Sequence, residues 1–454
     1  MTDKFEFLHD CVERALKGGA DHADIYLQSG EGHSAHYEDG RIDEISSSAS
    51  DGTGCRIISG GRTFYSHTPG CTPAHVSSSF KECAEAAAVC DINAYSSFSP
   101  LLEAGAPISP PALDFFKEID SSLKKKTSLI RQISYRYTLS HKRIAVIKPD
   151  GGTAFDTRFY SSFAVQVIAE KNGLLQTGGE RRCFSLPEKD FWGSSAPMDV
   201  AEKALMRALL MLDAKPCPAG VMNVLMDGEA GGTIIHEACG HGLEADIVEK
   251  DHSVYRGRTG QKVARECVTM VDDATLPGLY GSFSCDDEGT PAQRTVLIEN
   301  GILKRYMTDV LSARLYGLPL TGNGRRESYR CIPLPRMSNT FLMPGSDDFD
   351  TMLEKTGSGL YVKKMGGGEV DPTSGDFVFY ITEGYLIEKG RITTPVRGAI
   401  LTGNGPRALA NISALGHNLT MDPGICGKSG QGVPVTDGQP SMLIEGLTVG
   451  GSEV

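Results

Sequence analysis

The sequence predicts an α+β protein in two parts. An N-terminal α/β domain of helices and hairpins spans 1–195, and a mostly antiparallel β-barrel or sandwich domain spans 218–454. A linker helix and turn at 196–217 joins them. Three observations carry this reading. Helix-period apolar stretches are few, the clearest being 4–18 and 198–213. Most of the remaining chain reads as short alternating runs cut by Gly turns, the pattern of hairpins. And 454 residues favour more than one core.

In chain order, Phe5, Leu8, Cys11, Val12, Ala15 and Leu16 form one helical stripe over 4–18, ended by Gly18 and Gly19. "ADIYLQS", "AHYEDGRIDEIS" and "GCRIISGGRTFYSH" follow as strands, with Asp39–Gly40 as a hairpin turn. The glycines of "DGTGCRIISGG" lack the Lys-Ser/Thr ending of a phosphate loop, so they read as turns. A helix is expected over 76–90, a Pro- and Gly-rich loop over 99–114 and a helix near 112–137. Strands are expected near 142–149, 156–170 and 173–179. After the 198–213 helix and a Pro-Cys-Pro-Ala-Gly turn, "VMNVLMDG" reads as a buried strand. "RTVLIENGILKRYMTD" and "FVFYITEGYLIEKGRITTPVRGAILTG" read as hairpins of the second domain.

Composition narrows function. Hydrophobic residues make up 40% and charged residues 22%, with a net charge of −12. The longest basic run is Lys124–Lys126, so direct nucleic-acid binding is not expected. No stretch approaches the ~18 apolar residues of a membrane span, and the start lacks the apolar centre of a signal peptide. Twelve cysteines, none spaced C-x-x-C, suit a reducing compartment. A cytoplasmic location is expected.

The segment "IIHEACGHGLEAD" (234–246) holds His236, Glu237 and His241. In the zinc-peptidase pattern H-E-x-x-H the two histidines stand four apart, on one helical face. Here they stand five apart, which on an ideal helix separates them by roughly 140°. A single π-type bulge absorbs one residue and returns both histidines to one face. Gly240, beside His241, is expected to tolerate the strained backbone. Asp227 is the expected N-cap, with helix from Ala230 to His241. Glu237 can then point at a water held by the metal. Catalytic zinc takes three protein ligands, and downstream candidates for the third are His252, His417, Cys426 and several carboxylates. Cys239, inside the helix, is expected to pack, with a nucleophile as the minor alternative.

"HEACGHGLEAD", "DDEGTPAQRTVLIENGILKRYMTD", "SNTFLMPG", "MGGGEVDPTSGDFVFYITEGYLIEKGRITTPVRGAILTGNG" and "MDPGICGKSGQGVPV" together resemble the TldD/PmbA family of metallopeptidases. The match is near-continuous over 220–454 and weaker at 52–61. The resemblance implies zinc (Zn2+) held by His236, His241 and Cys426, with Glu237 as general base. It favours a TldD-like catalytic member over the PmbA-like (TldE) type. It also implies a dimer, formed with such a paralogue or with a second copy, and peptide substrates. An older family label is modulator of DNA gyrase. A thiolate and two imidazoles would leave the zinc centre at about +1, where three imidazoles leave about +2, which raises the demand on Glu237. Gly366, Gly367 and Gly368 of "MGGGEV" expose backbone and are the expected substrate-binding positions, by strand addition to short or unfolded peptides. Two alternatives remain: a zinc-stabilised peptide-binding partner without proteolytic activity, and a different H-E-x-x-G-H peptidase. A cysteine hydrolase using Cys239 or Cys426 is a third class.

Overall fold

The computed structural model describes residues 5–92, 101–102, 114–185 and 196–451. Most of the loop expected over 99–114 lies outside the described residues.

The first helix, α1 (Glu6–Lys17), buries Leu8, Cys11, Val12 and Ala15, and Gly18 caps its end. It precedes β1 (His22–Glu38), β2 (Arg41–Ala49), β3 (Gly52–Ser59), β4 (Arg62–Pro69) and α2 (Pro73–Ala87). The β1–β2 turn is Asp39–Gly40, both at positive φ (+48° and +88°), as such a tight turn requires. The next helix, α3 (Asp114–Lys126), is shorter than the expected 112–137. From Ile130 the chain is instead β5 (Ile130–Ile147), followed by β6 (Thr153–Lys171) and β7 (Leu174–Phe184). The physical reason is period: Ile133, Tyr135, Tyr137 and Leu139 are buried at every second position, which a helix cannot do.

These strands form one seven-stranded sheet in the order β4-β3-β1-β5-β6-β7, with β2 added to β1. One core lies between this sheet and α1 and α2, containing Leu8, Ile25, Ile57 and Phe80. Another lies under α3 and the helix Ala196–Asp213, where Ala201, Ala204 and Ala208 pack with Phe163 and Val165. The helix approaches β7 so closely that a Cβ on Gly178 would strike the Ala204 carbonyl.

In the second half, five strands close on themselves. Gly359–Val370 pairs with Gly220–Met226, then come Met442–Gly450, Ile400–Asn404 and Asp376–Glu388, which returns to Gly359–Val370. This barrel is mostly antiparallel, with a parallel contact between 359–362 and 223–226. "VMNVLMDG" is less buried than expected: Val221 is 72% exposed, and only Val224, Leu225 and Met226 are fully inside. A second sheet of six strands ends on Asn339–Leu342, Gln431–Gln439 and the edge strand Thr420–Lys428. The turn-rich segment 228–243 packs in between, with Ile234, Ile235, Ala238 and Leu243 in the same core as Val362, Phe379, Met337 and Val433.

Charge joins the two halves. Arg56 of β3 donates to Asp24 at 2.7 Å and to Glu288 at 2.6 Å, all three buried. Arg158 of β6 bridges Asp156 at 2.7 Å and Asp287 at 2.9 Å. Such pairs are costly to bury, and more costly to break. No helix among the described residues is long and apolar enough to cross a membrane.

Candidate metal centre

Asp227 ends the strand Gly220–Met226 and accepts the Glu229 N–H at 2.8 Å, capping a short 3-10 turn over 228–230. The helix does not start at Ala230, as expected, because Gly231 adopts φ +89° and breaks the chain there. It begins at Thr233, and from His236 to Gly240 it is a π turn. The His241 N–H bonds the His236 carbonyl, an i→i−5 bond that absorbs the extra residue. The two imidazoles thereby meet, with centroids 5.0 Å apart.

Gly240 has a different reason from the one expected. Its backbone is ordinary right-handed helix (φ −56°, ψ −55°). A Cβ there would run into the Met337 sulfur, so the glycine serves close packing. Gly242 likewise sits against the Tyr255 ring, 2.8 Å from where a Cβ would be.

Cys426 comes from the edge strand 420–428, 185 residues beyond His241, and its Sγ lies 3.5 Å from His241 Nε2. Ligand atoms of His236, His241 and Cys426 all fall within 4.8 Å of one another, and all three residues are buried. A zinc ion with Zn–N near 2.05 Å and Zn–S near 2.3 Å needs N···S edges of about 3.5 Å in a tetrahedron. The Cys426–His241 edge of 3.5 Å matches that value, and two imidazoles with a thiolate are donors that suit such a cation. His252 and His417 are exposed and stand outside this cluster. Cys239 is fully buried beside Tyr255, and burial pushes its thiol up to about 12, so it packs and is not poised as a nucleophile.

The outer nitrogen of each imidazole is held by a carboxylate. His236 Nδ1 lies 2.7 Å from Asp437 Oδ1, and His241 Nδ1 lies 3.0 Å from Glu244 Oε2. This leaves Nε2 of both rings to face Cys426. Glu244 is itself fully buried and is charge-balanced by Lys428, at 3.0 Å, which also reaches Asp246 at 2.6 Å. Arg336 donates to the Cys426 carbonyl at 2.6 Å and to the Gln431 carbonyl at 3.3 Å, anchoring the cysteine's strand. Sequence reasoning missed these supports. Glu244 was visible three residues after His241, one helical turn away, but Asp437, Lys428 and Arg336 carry no local signal.

Burial works against the Cys426 thiolate, but the neighbouring imidazoles, His236 foremost, outweigh it and hold the thiol well below its ordinary value. Glu237 is shifted the other way. Burial raises its carboxyl, and the two histidines offset this only in part. Its Oε2 lies 4.0 Å from His241 Nε2, with the side chain 24% exposed, so it faces the donor cluster from an accessible side.

The glycines Gly366, Gly367 and Gly368 lie in the strand Gly359–Val370. There the ladder with 376–388 skips from Met365↔Ile381 to Gly368↔Phe379. On the strand's other edge, pairing with 223–226 stops at Val362.

Comparison with known proteins shows the family and the fold. Three consecutive family models match: PmbA/TldA metallopeptidase domain 1 at 23–89, the central domain at 106–212 and the C-terminal domain at 219–451. A protein named Metalloprotease TldD homolog from Haemophilus influenzae is 36% identical, over 95% of this chain and 93% of that one. A Zinc metalloprotease TldD homolog from Saccharolobus solfataricus is 35% identical over 54% of this chain and 55% of its own. The crystal structure of TldE from Thermococcus kodakarensis superposes with a TM-score of 0.74 at 17% identity, covering 98% and 99% of the two chains.

Proposed function

The chain belongs to the TldD/PmbA family of metallopeptidases, and from that premise we propose that it is a zinc-dependent hydrolase of short or unfolded peptides. His236, His241 and Cys426 would hold the zinc, and Glu237 would act as general base. The observation that carries this reading is the convergence of three soft donors on one buried point with an accessible carboxylate beside them. The name of the Saccharolobus relative, a zinc metalloprotease, supports zinc among the possible metals.

Zinc bound there supplies Lewis acidity to the scissile carbonyl. The chain's own residues do the rest. Asp437 and Glu244 hold Nδ1 of the two rings, so that Nε2 of each would be the nitrogen offered to the cation. Glu237 Oε2 takes a proton from the attacking water and delivers it to the leaving amine nitrogen. A carboxylate so placed favours a peptidase over a binding partner that holds peptides uncut, which needs no base.

For the substrate, the outer edge of 363–370, which pairs with no strand among the described residues, and the backbone of Gly366, Gly367 and Gly368 support pairing with an extended peptide. Main-chain pairing predicts loose sequence preference and no cleavage of compact domains. The assembly proposed is a dimer, with a second copy or a PmbA/TldE-like paralogue. The strand β2, exposed along its whole length with Ile45 57% exposed, supports such a contact.

The experiment is Glu237→Gln. Metal content and fold are expected to persist, while hydrolysis of an unstructured peptide falls by ~10²- to 10⁴-fold. A variant retaining most of its activity would remove Glu237 from the mechanism. A metal-loaded wild type that binds such peptides and never cuts them would leave only the binding reading.

A further inference from the structure

Away from the metal cluster, the loop 258–265 and the helix Gly405–Ala410 face each other across an open bowl of about 370 Å³. Four of its lining residues are cationic, Arg258, Lys262, Arg265 and Arg407, and none is acidic. That balance is the reverse of the chain's, which carries 57 acidic against 45 basic residues. The rest of the lining, Val263, Ala264, Pro406 and Ala410, is apolar.

We propose that this bowl binds a compact, multiply charged anion of the phosphate or dicarboxylate type. Every polar side-chain group lining it is a hydrogen-bond donor, so the matching ligand presents acceptors alone. It has no aromatic residue on which a base or ring could stack. Intramolecular acceptors satisfy little of the charge. Arg265 Nε donates to the Ala410 carbonyl at 3.0 Å, and its nearest carboxylate, Glu445, stands off at 4.0 Å. Among the described residues, the Arg258 side chain donates to the Lys262 carbonyl alone, at 3.5 Å. Two arginines on opposite walls, Arg258 and Arg407, can each offer a planar fork to one anion.

The walls are fixed in advance. Val263 and Ala264 both donate backbone N–H to the Gly301 carbonyl, at 2.8 and 3.1 Å, and the Arg265 N–H bonds the Leu409 carbonyl at 3.3 Å. The cations therefore stand on tethered backbone, and binding has only their side chains to order. The bowl also abuts the catalytic segment. Gly405 opens the helix bearing Arg407, and a Cβ there would collide with the carbonyl of Ala238, inside the π turn. An anion bridging Arg407 to the 258–265 loop would brace that turn from behind.

The test is titration calorimetry of the metal-loaded full chain with inorganic phosphate and, separately, glutarate, each against sodium chloride at equal ionic strength. Saturable one-to-one binding is expected for at least one probe, and the probe preferred distinguishes a phosphate from a carboxylate ligand. The double variant Lys262→Ala, Arg407→Ala is expected to bind at least about tenfold more weakly, with an unchanged melting temperature in the absence of anion. The single variant Arg407→Gln, expected to show a smaller loss, serves if the double variant fails to fold. No saturable heat beyond the chloride control overturns the proposal, and so does equal affinity in the folded variants.

Discussion

Replacing Asp437 by alanine is expected to weaken metal binding by about 10- to 100-fold without touching a ligand. Asp437 Oδ1 lies 2.7 Å from His236 Nδ1, and the imidazole side chain is only 4% exposed, so water cannot readily take over the contact. A hydrogen bond to a charged group is worth about 1.5–3 kcal/mol, and ~10- to 100-fold corresponds to about 1.4–2.7 kcal/mol. The two magnitudes agree if most of that bond's energy is spent holding Nε2 toward Cys426. Asp437→Asn keeps an acceptor oxygen and loses the charge, so it should fall between alanine and wild type. The assay is competition for zinc against a chromophoric chelator, with circular dichroism to verify the fold. If Asp437→Ala binds zinc within threefold of wild type while His236→Ala does not, the carboxylate does not act through His236 and the reasoning fails.

Other perturbations probe the frame around the site. Gly240→Ala should destabilise the protein by about 1–3 kcal/mol through overpacking on Met337. Adding Met337→Ala should recover part of that loss in a double-mutant cycle, and strict additivity would refute the packing explanation. Arg56→Ala leaves Asp24 and Glu288 buried without their partner and should cost about 3–5 kcal/mol by chemical denaturation; a loss below 1 kcal/mol would mean that water replaces the guanidinium. Lys142 is half-buried and donates to the Glu327 carbonyl at 3.3 Å, and desolvation there, with Arg158, Arg325 and Arg326 close by, pushes its ammonium down to about 8, while an unfolded lysine titrates near 10.4. Between those values the unfolded chain holds a proton that the folded chain has lost, so this residue's contribution to stability rises with pH across the window. Lys142→Met should therefore raise the melting temperature at pH 7 and lose that benefit by about pH 10.5; a pH-independent difference would show that the charge is not the cause.

Local chemistry made much of this protein legible in one dimension. The apolar stripe of α1, the Asp39–Gly40 turn and the alternation of the later strands depend on neighbours a few residues away, and each forms as its period dictates. The five-residue spacing of His236 and His241 forces a defect in any helix that brings them together, and the π turn at 236–240 is that defect. Other features depend on contacts that only the folded chain creates. Residues 130–137 became strand because β6 offered a ladder along them and β1 a second one from Ser134 on, which outweighed their helical reading. Gly240 owes its identity to Met337, nearly a hundred residues away, and not to its own backbone angles. Cys426 is one of 12 cysteines in the sequence; the edge strand Thr420–Lys428 is what carries its sulfur to 3.5 Å from His241. Asp437 looks like any surface carboxylate in the sequence, and Glu244 has only its spacing from His241 to mark it; the folded chain is what sets both against the two imidazoles. Periodicity and turn chemistry are written locally, whereas coordination and charge pairing require atoms from distant segments to meet at a point, and the tertiary structure alone decides where that point lies.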